Sequence, residues 1–262
     1  MKIKETIIKA LSLGTGLAIG MVLIAKVCFE MSYDGFYKDV DRIYWIYSNA
    51  IQGEDKFDFN QCSGAIAPGI KQYAPGVESA TRMTGFFDQH IWRDQNGHEV
   101  EGLSNFTDTC FFDVFDREIL AGDPKKALGE IHSIMVSRSF AEKMGGIENI
   151  IGKQICNIQI PELLLTVNGV YEDFPENGTI PYDVLMSLET YSKKSTENWM
   201  GNDRYRGFVK LHEGVDPASL KDAMRLMQET HQDIEEYEAM GMKLWYTLRP
   251  FSTIHTSDPH TR

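Results

Sequence analysis

The pattern of apolar positions divides the chain into two unequal parts. Residues 7–29 are almost wholly apolar, and sixteen uncharged residues separate Lys9 from Lys26. About 20 helical residues cover a hydrocarbon core of roughly 30 Å, and flanking lysines can reach the headgroups. The stretch therefore predicts a transmembrane helix within a first segment, residues 1–29.

The same stretch has to be compared with a cleaved signal peptide, whose apolar region would be about 16 residues long. No small-x-small cleavage pair follows it, and Cys28 lacks the small preceding residue that lipidation requires. We therefore predict a retained anchor. Three lysines precede the apolar run against the single acid Glu5. Positive flanks stay in the cytoplasm, so we expect the chain after about residue 30 to be periplasmic, on a single-pass protein of the inner membrane.

Two glycines of this helix are candidate contact residues. Gly16 and Gly20 form a G-x-x-x-G pair, which lets a second helix approach closely in lipid. Glycine is also common in membrane helices generally. Contact with a partner helix and simple exposure to membrane lipid therefore stay open as alternatives.

Beyond the anchor, short segments alternate between the two-residue period of strands and the helical period. A first strand is predicted to follow residue 42 and to end at about residue 49. Two strands, at 90–93 and 99–100, are predicted on either side of the Asn96-Gly97 turn. Further strands are predicted at 77–84, 133–136, 155–160, 163–171, 183–188, 206–211 and 242–248. A short helix is predicted to end at about residue 42, and a second helix at 63–73. A third begins at a Ser139/Glu142 capping box, and a fourth runs from Asp216-Pro217 to about residue 237. The order predicts an α+β fold.

Composition excludes one class of partner. Of the 26 basic and 38 acidic residues, four lysines and one glutamate lie in residues 1–29. The exterior part therefore has 22 basic and 37 acidic residues, a formal charge of −15, and no nucleic acid is expected to bind it. A 42% hydrophobic content with 11% aromatic residues is typical of a folded domain.

Spacings typical of catalysis or metal binding are missing. No G-x-S-x-G or H-E-x-x-H occurs, and His255 and His260 lie in a polar tail. Residues 146–154 approach a phosphate-binding loop, but the glycine spacing is one residue too long and Gln154 replaces the magnesium-binding hydroxyl. Four carboxylates are predicted to serve turns, caps or ion pairs: Asp34, Asp41, Asp123 and Asp173. We predict no catalytic residue, cofactor or metal.

The cysteines indicate neither a zinc site nor a dense disulfide framework, because Cys28, Cys62, Cys110 and Cys156 are widely scattered. A bridge between Cys62 and Cys110 is chemically possible outside the cytoplasm. Unpaired buried thiols are the favoured alternative.

Three sequence blocks occur in order after the anchor. They are SYDGFYKDVDRIY at 32–44, FFDVFDREILAGDPKKAL at 111–128 followed by SIMVSRSFAEKMGG and IIGKQI through 155, and LTVNGVYEDFPENGTIPYDVLMSL at 165–188. The ordered set resembles the MacB/FtsX-type ABC transporter permeases through their MacB-like periplasmic core domain. The resemblance covers roughly residues 1–190.

The resemblance implies an α+β periplasmic domain at 30–250 with two lobes. A porter-like lobe is expected at about 40–105 and 200–250, with an inserted, mostly β lobe at about 106–195. Residues 251–262 would form a tail toward a second membrane helix that this chain lacks. Because such permeases have further membrane helices, we expect a fragment or a truncated product.

The resemblance also implies a function. Such a permease subunit transmits the ATP-driven change of a separate cytoplasmic ABC ATPase to the periplasm, for efflux or for handling lipoproteins or other substrates. It is not itself an enzyme, and its expected partners are the ATPase, a second permease subunit in a dimer, and a periplasmic adaptor protein. Two alternatives remain: a single-span sensor with an extracytoplasmic ligand-binding domain, and an anchored hydrolase using Asp123, Asp173 and His132.

The anchor prediction is tested by expressing the chain in a bacterial host. We expect it to remain in the membrane pellet after alkaline carbonate extraction, with its amino terminus intact, because the apolar helix is not removed. Alkaline phosphatase fused after residue 250 should be active. A soluble product beginning near residue 30 would contradict the anchor.

Overall fold

The computed structural model describes residues 2–84, 89–191 and 193–257. A single long helix, α1 (Lys2–Met31), precedes a body rich in β-sheet. Its part Lys4–Met31 is long and apolar enough to cross a membrane, and its most apolar stretch is not buried against the rest of the chain. The predicted mixed α+β fold with one amino-terminal apolar helix is confirmed.

Twelve strands lie within the described residues and join into one mixed sheet. They are β1 (Ile43–Gln52), β2 (Asp55–Phe59), β3 (Val77–Thr84), β4 (Gln89–Asp94), β5 (Glu99–Thr107), β6 (Ile119–Gly122), β7 (Ser133–Ser137), β8 (Gln154–Asn157), β9 (Leu165–Tyr171), β10 (Val184–Ser187), β11 (Arg206–Leu211) and β12 (Met242–Pro250). Their order is β10-β7-β9-β8-β4-β5-β3-β11-β1-β12, with β2 beside β1 and β6 beside β9. The pairs β5–β10 and β7–β9 are parallel.

The remaining helices are short. They are α2 (Ile66–Tyr73), α3 (Phe111–Val114), α4 (Pro124–Ala127), α5 (Arg138–Lys143), α6 (Ile147–Ile150), α7 (Lys193–Thr196), α8 (Lys221–His231), α9 (Ile234–Ala239) and α10 (Ile254–Ser257). Four 3₁₀ turns accompany them, at Val40–Arg42, Leu188–Thr190, Pro217–Leu220 and Phe251–Thr253.

Apolar side chains form three buried clusters on the sheet. The largest is aromatic and lies on the face that carries Trp45 and Phe208, whose ring centroids are 4.9 Å apart. A second packs α5 and α6 against β7 and β9. The third packs α2 and α8 against β1, β3 and β11, and Met224 and Met227 are buried in it. These two methionines of α8 are therefore core residues.

Three predicted helix details are wrong. Turns and one 3₁₀ turn replace the helix expected before residue 43. Helix α5 is capped by Ser137, whose hydroxyl accepts a hydrogen bond from the Phe140 amide, so Ser139 is not the cap. The helix expected to reach residue 237 breaks at Gln232, whose side-chain amide donates to the Tyr246 hydroxyl at 2.8 Å.

The four cysteines are free thiols. Cys62 is fully buried in the third cluster, and burial raises the pKa of its thiol. Cys110 is only partly buried. The alternative of unpaired thiols therefore agrees with the structure, and the bridge between Cys62 and Cys110 is absent from it.

Two phenylalanines of opposite exposure test the aromatic cluster. Phe208→Ala removes a ring that is 1% exposed, and we expect the free energy of unfolding to fall by about 3–5 kcal/mol. Phe59→Ala is the matched control, since that ring is 53% exposed on β2, and its effect should stay within about 0.5 kcal/mol. Urea denaturation of the full chain in detergent micelles measures both. Equal effects would contradict this packing.

Candidate functional site

Three segments that are distant in sequence meet where α1 ends. They are the exit segment (residues 32–42), the loop after β9 (residues 172–183) and the segment after β12 (residues 251–257). Each contributes buried side chains to the aromatic cluster or hydrogen bonds to a neighbour. This junction is where the helix is attached to the domain.

A buried carboxylate closes the junction. Asp34 is 1% exposed. One of its oxygens accepts a hydrogen bond from the Thr179 amide at 2.8 Å, and the other accepts one from the Thr179 hydroxyl at 2.5 Å. The Asp34 amide donates to the Asn177 carbonyl at 2.9 Å. Two segments 145 positions apart are therefore joined by three hydrogen bonds at one residue.

The backbone at Asp34 is left-handed, with φ 58°. Aspartate adopts this conformation more readily than most residues, and it turns the chain directly after α1. Beside it, the Asn177 side-chain amide donates to the carbonyl and the hydroxyl of Ser32, both at 2.9 Å. Asn177 and Thr179 of the Asn-Gly-Thr sequence are thus both used structurally.

Burial is the main influence on ionisation in the junction. It raises the pKa of Asp34, and the hydrogen bonds from Thr179 oppose the increase. Burial also raises the pKa of Tyr37 well above its ordinary value. Buried polar groups contribute rigidity when their partners are in place.

An aromatic group fixes the exit segment from the other side. The Tyr37 ring lies 5.4 Å from Phe115, 6.3 Å from Phe174 and 5.9 Å from Phe251, measured between centroids. These rings come from three different parts of the chain. The Arg117 guanidinium lies over the Phe174 ring at 5.4 Å. All three segments of the junction therefore share one packed core.

The segment after β12 also touches α1 directly. Nε2 of His255 lies 2.7 Å from a carboxylate oxygen of Glu30. The His255 ring stacks on the Tyr33 ring with centroids 3.4 Å apart and planes 3° apart. Although the sequence predicts a polar tail here, Phe251 and Ile254 are buried and His255 is partly buried. His260 lies outside the described residues.

Gly16 and Gly20 lie on α1 far from the junction. A Cβ added to either glycine would meet no atom within 4 Å. Their surface is thus open along the helix, and contact with a partner helix stays a prediction.

The other singled-out polar residues have local roles. Asp123 caps α4 by accepting from the Lys125 amide, and Asp173 accepts from the Ser139 amide at 2.9 Å. The His132 amide donates to the Thr190 hydroxyl. Asp41 is exposed. Across residues 2–84, 89–191 and 193–257, no group of three or more histidine, cysteine or acidic side chains is placed to hold a metal.

An apolar helix joined to a sheet-rich body through this junction defines a membrane-anchored domain. The sequence profile of the MacB-like periplasmic core domain family matches residues 7–226. The chain therefore belongs to this family, and the resemblance read from the three sequence blocks is confirmed. No curated protein matches the chain significantly.

Solved structures agree with the family. A domain of a protein described as a permease, from Porphyromonas gingivalis, is 34% identical, covers 82% of this chain and 91% of its own, and has a TM-score of 0.74. The periplasmic region of MacB from Actinobacillus actinomycetemcomitans is 16% identical, with coverages of 81% and 90% and a TM-score of 0.53. The extracellular domain of the ABC-type transporter YknZ from Gram-positive bacteria is 16% identical, with coverages of 79% and 99% and a TM-score of 0.50. The last two share the fold.

The junction predicts a specific cost for removing one hydroxyl. Thr179→Val keeps the shape of the side chain but removes the hydroxyl that donates to Asp34, and leaves that buried carboxylate short of a donor. We expect a loss of about 1–3 kcal/mol in the free energy of unfolding. The measurement is chemical denaturation of the full chain in micelles.

The control is Thr230→Val on the exposed face of α8, where the hydroxyl donates to the Leu226 carbonyl. Its effect should remain within about 0.5 kcal/mol. If Thr179→Val were as mild as this control, the junction would not depend on the Asp34 contact.

Proposed function

We propose that the chain is the membrane subunit of an ABC transporter of the MacB/FtsX type. It transmits the conformational change that ATP drives in a separate cytoplasmic ATPase to a periplasmic domain. The observation that carries the proposal is the junction, where Asp34 at the exit of α1 is hydrogen-bonded to Thr179. While these hydrogen bonds are intact, the domain moves together with the helix.

The physical argument concerns stiffness. Coupling between distant sites is carried by packed side chains and hydrogen-bonded elements rather than by flexible linkers. In this chain no free linker separates α1 from the sheet: Tyr37 is buried in the aromatic cluster, and β1 begins at Ile43. A displacement of the end of α1 therefore reaches β1 within about a dozen residues of packed chain.

The orientation follows from the charge pattern of the anchor. The lysine-rich amino terminus lies in the cytoplasm and the sheet-rich body in the periplasm. The body is divided into a porter-like lobe, at about 40–105 and 200–250, and an inserted lobe at about 106–195. A second permease subunit packs against Gly16 and Gly20, and a periplasmic adaptor contacts the body. The role is efflux or the handling of lipoproteins or other substrates, and ATP hydrolysis belongs to the partner.

A sensor is the second candidate, favoured by one groove. Between α8 and β12 lies an open groove of about 750 Å³, lined in part by Met224, Leu244, Tyr246 and Leu248. Its size and apolar lining fit a small ligand. A thermal-shift screen in which apolar metabolites raise the melting temperature would favour sensing, and absence of any response would favour transport.

The transport proposal is tested by expressing the gene together with its genomic neighbours. An ABC ATPase should copurify with the chain. In nanodiscs, ATP with vanadate should change amide hydrogen exchange in peptides covering residues 30–36 and 173–180, because the junction carries the motion. Thr179→Val should reduce this change, and Thr230→Val should not. The proposal that the chain transmits an ATP-driven change is wrong if no ATPase copurifies, or if amide hydrogen exchange in the sheet-rich body is the same with and without ATP.

A further inference from the structure

The segment that follows β12 is packed against the domain on one side. Residues 251–257 form a 3₁₀ turn followed by the single turn α10, and Phe251 and Ile254 are fully buried in the aromatic cluster. Thr253 and Thr256 are exposed on the outside of the same segment. Its inner side is therefore anchored in the core of the domain.

His255 reaches from this segment to α1. Its side chain is 18% exposed. It contacts Glu30 in the last turn of α1 and lies flat on Tyr33, which follows the helix. Tyr33 in turn makes an edge contact with Phe29, at 5.8 Å between centroids. The contact thus has a polar part and an aromatic part.

We infer that residues 251–257 are a strap that fastens the outer end of α1 to the last strand, β12. The strap is a second attachment of the helix, separate from the Asp34 contact. Its mechanical consequence rests on the proposed function, whereas its existence is testable without a partner or nucleotide.

The sheet register explains what a second attachment does. β1 and β12 are antiparallel neighbours along nine residue pairs, from Tyr44↔Pro250 to Gln52↔Met242. The exit segment leads into β1 at the Tyr44 end, and the strap leaves β12 at the Pro250 end. Both attachments to α1 therefore lie at the same end of one ribbon.

This placement determines how a pull on α1 is distributed. If the exit segment were the only attachment, the force would act on β1 alone and would shear the hydrogen bonds between β1 and β12. With the strap, β12 is loaded at the same end and in the same direction. The ribbon of β1 and β12 then moves with α1 as one body, and His255 is the residue that positions the strap on the helix.

The test is amide hydrogen exchange of the full chain in phosphatidylglycerol/phosphatidylcholine nanodiscs without nucleotide. His255→Ala removes the contacts to Glu30 and Tyr33. We expect exchange to accelerate roughly tenfold both in the 251–257 peptide and in the 30–37 peptide, because each segment loses its partner. Tyr33→Leu, which removes the ring beneath His255 together with its edge contact to Phe29, should accelerate the same two peptides.

Thr256→Ala is the matched control, since its exposed hydroxyl donates to the Thr253 carbonyl within the strap. It should leave the 30–37 peptide unchanged, and unchanged exchange in β7 and β9 verifies that each variant is folded. If His255→Ala does not fold, His255→Gln, which keeps a donor toward Glu30 but loses the stacked ring, is judged by the same two peptides. A variant that frees residues 251–257 but leaves residues 30–37 at the wild-type rate overturns the strap. That result would leave the ATP-dependent change untouched.

Discussion

The hydrogen bonds between Asp34 and Thr179 are the constraint on which the attachment of helix to domain depends. A carboxylate buried to this degree is costly unless donors satisfy it, and here a backbone amide and a hydroxyl of the same residue do so. The cost makes the contact specific, because a junction that slipped by one residue would leave Asp34 buried without its donors. A hydrophobic contact would tolerate such a slip.

The aromatic cluster and the polar contact have different roles. Tyr37, Phe115, Phe174 and Phe251 supply apolar burial around the exit segment, and interiors packed in this way transmit displacement because they have low compressibility. Asp34 fixes the register in which this packing occurs. Together they bury Asp34 and Tyr37 directly after α1, so that the exit segment is tied to the core, which is the property that the proposed transmission of movement requires.

Local signals in the sequence predicted much of the fold. The uncharged run between Lys9 and Lys26 identified α1, and two-residue alternation identified most strands. Each of these signals is carried by residues that are consecutive in sequence. These signals can be recognised in a sequence because the interactions behind them join residues that are close in sequence.

The junction could not be predicted because its partners are distant. Nothing near Asp34 in sequence points to Thr179, and the Asn-Gly-Thr sequence has the composition of an ordinary turn. His255 lies in a polar stretch whose buried residues, Phe251 and Ile254, are too few to show a period. The break at Gln232, by contrast, has a local signal, because Asp233 caps α9 by accepting a hydrogen bond from the Glu236 amide.

A double-mutant cycle between Asp34→Asn and Thr179→Val tests the central claim most directly. Asparagine tolerates the left-handed backbone at position 34, so the cycle changes the contact between the two side chains without straining the turn. Unfolding free energies of the four proteins, measured in the same micelles, should give a coupling energy of roughly 0.5–3 kcal/mol. Strictly additive effects would show that the two residues do not hold the helix to the domain.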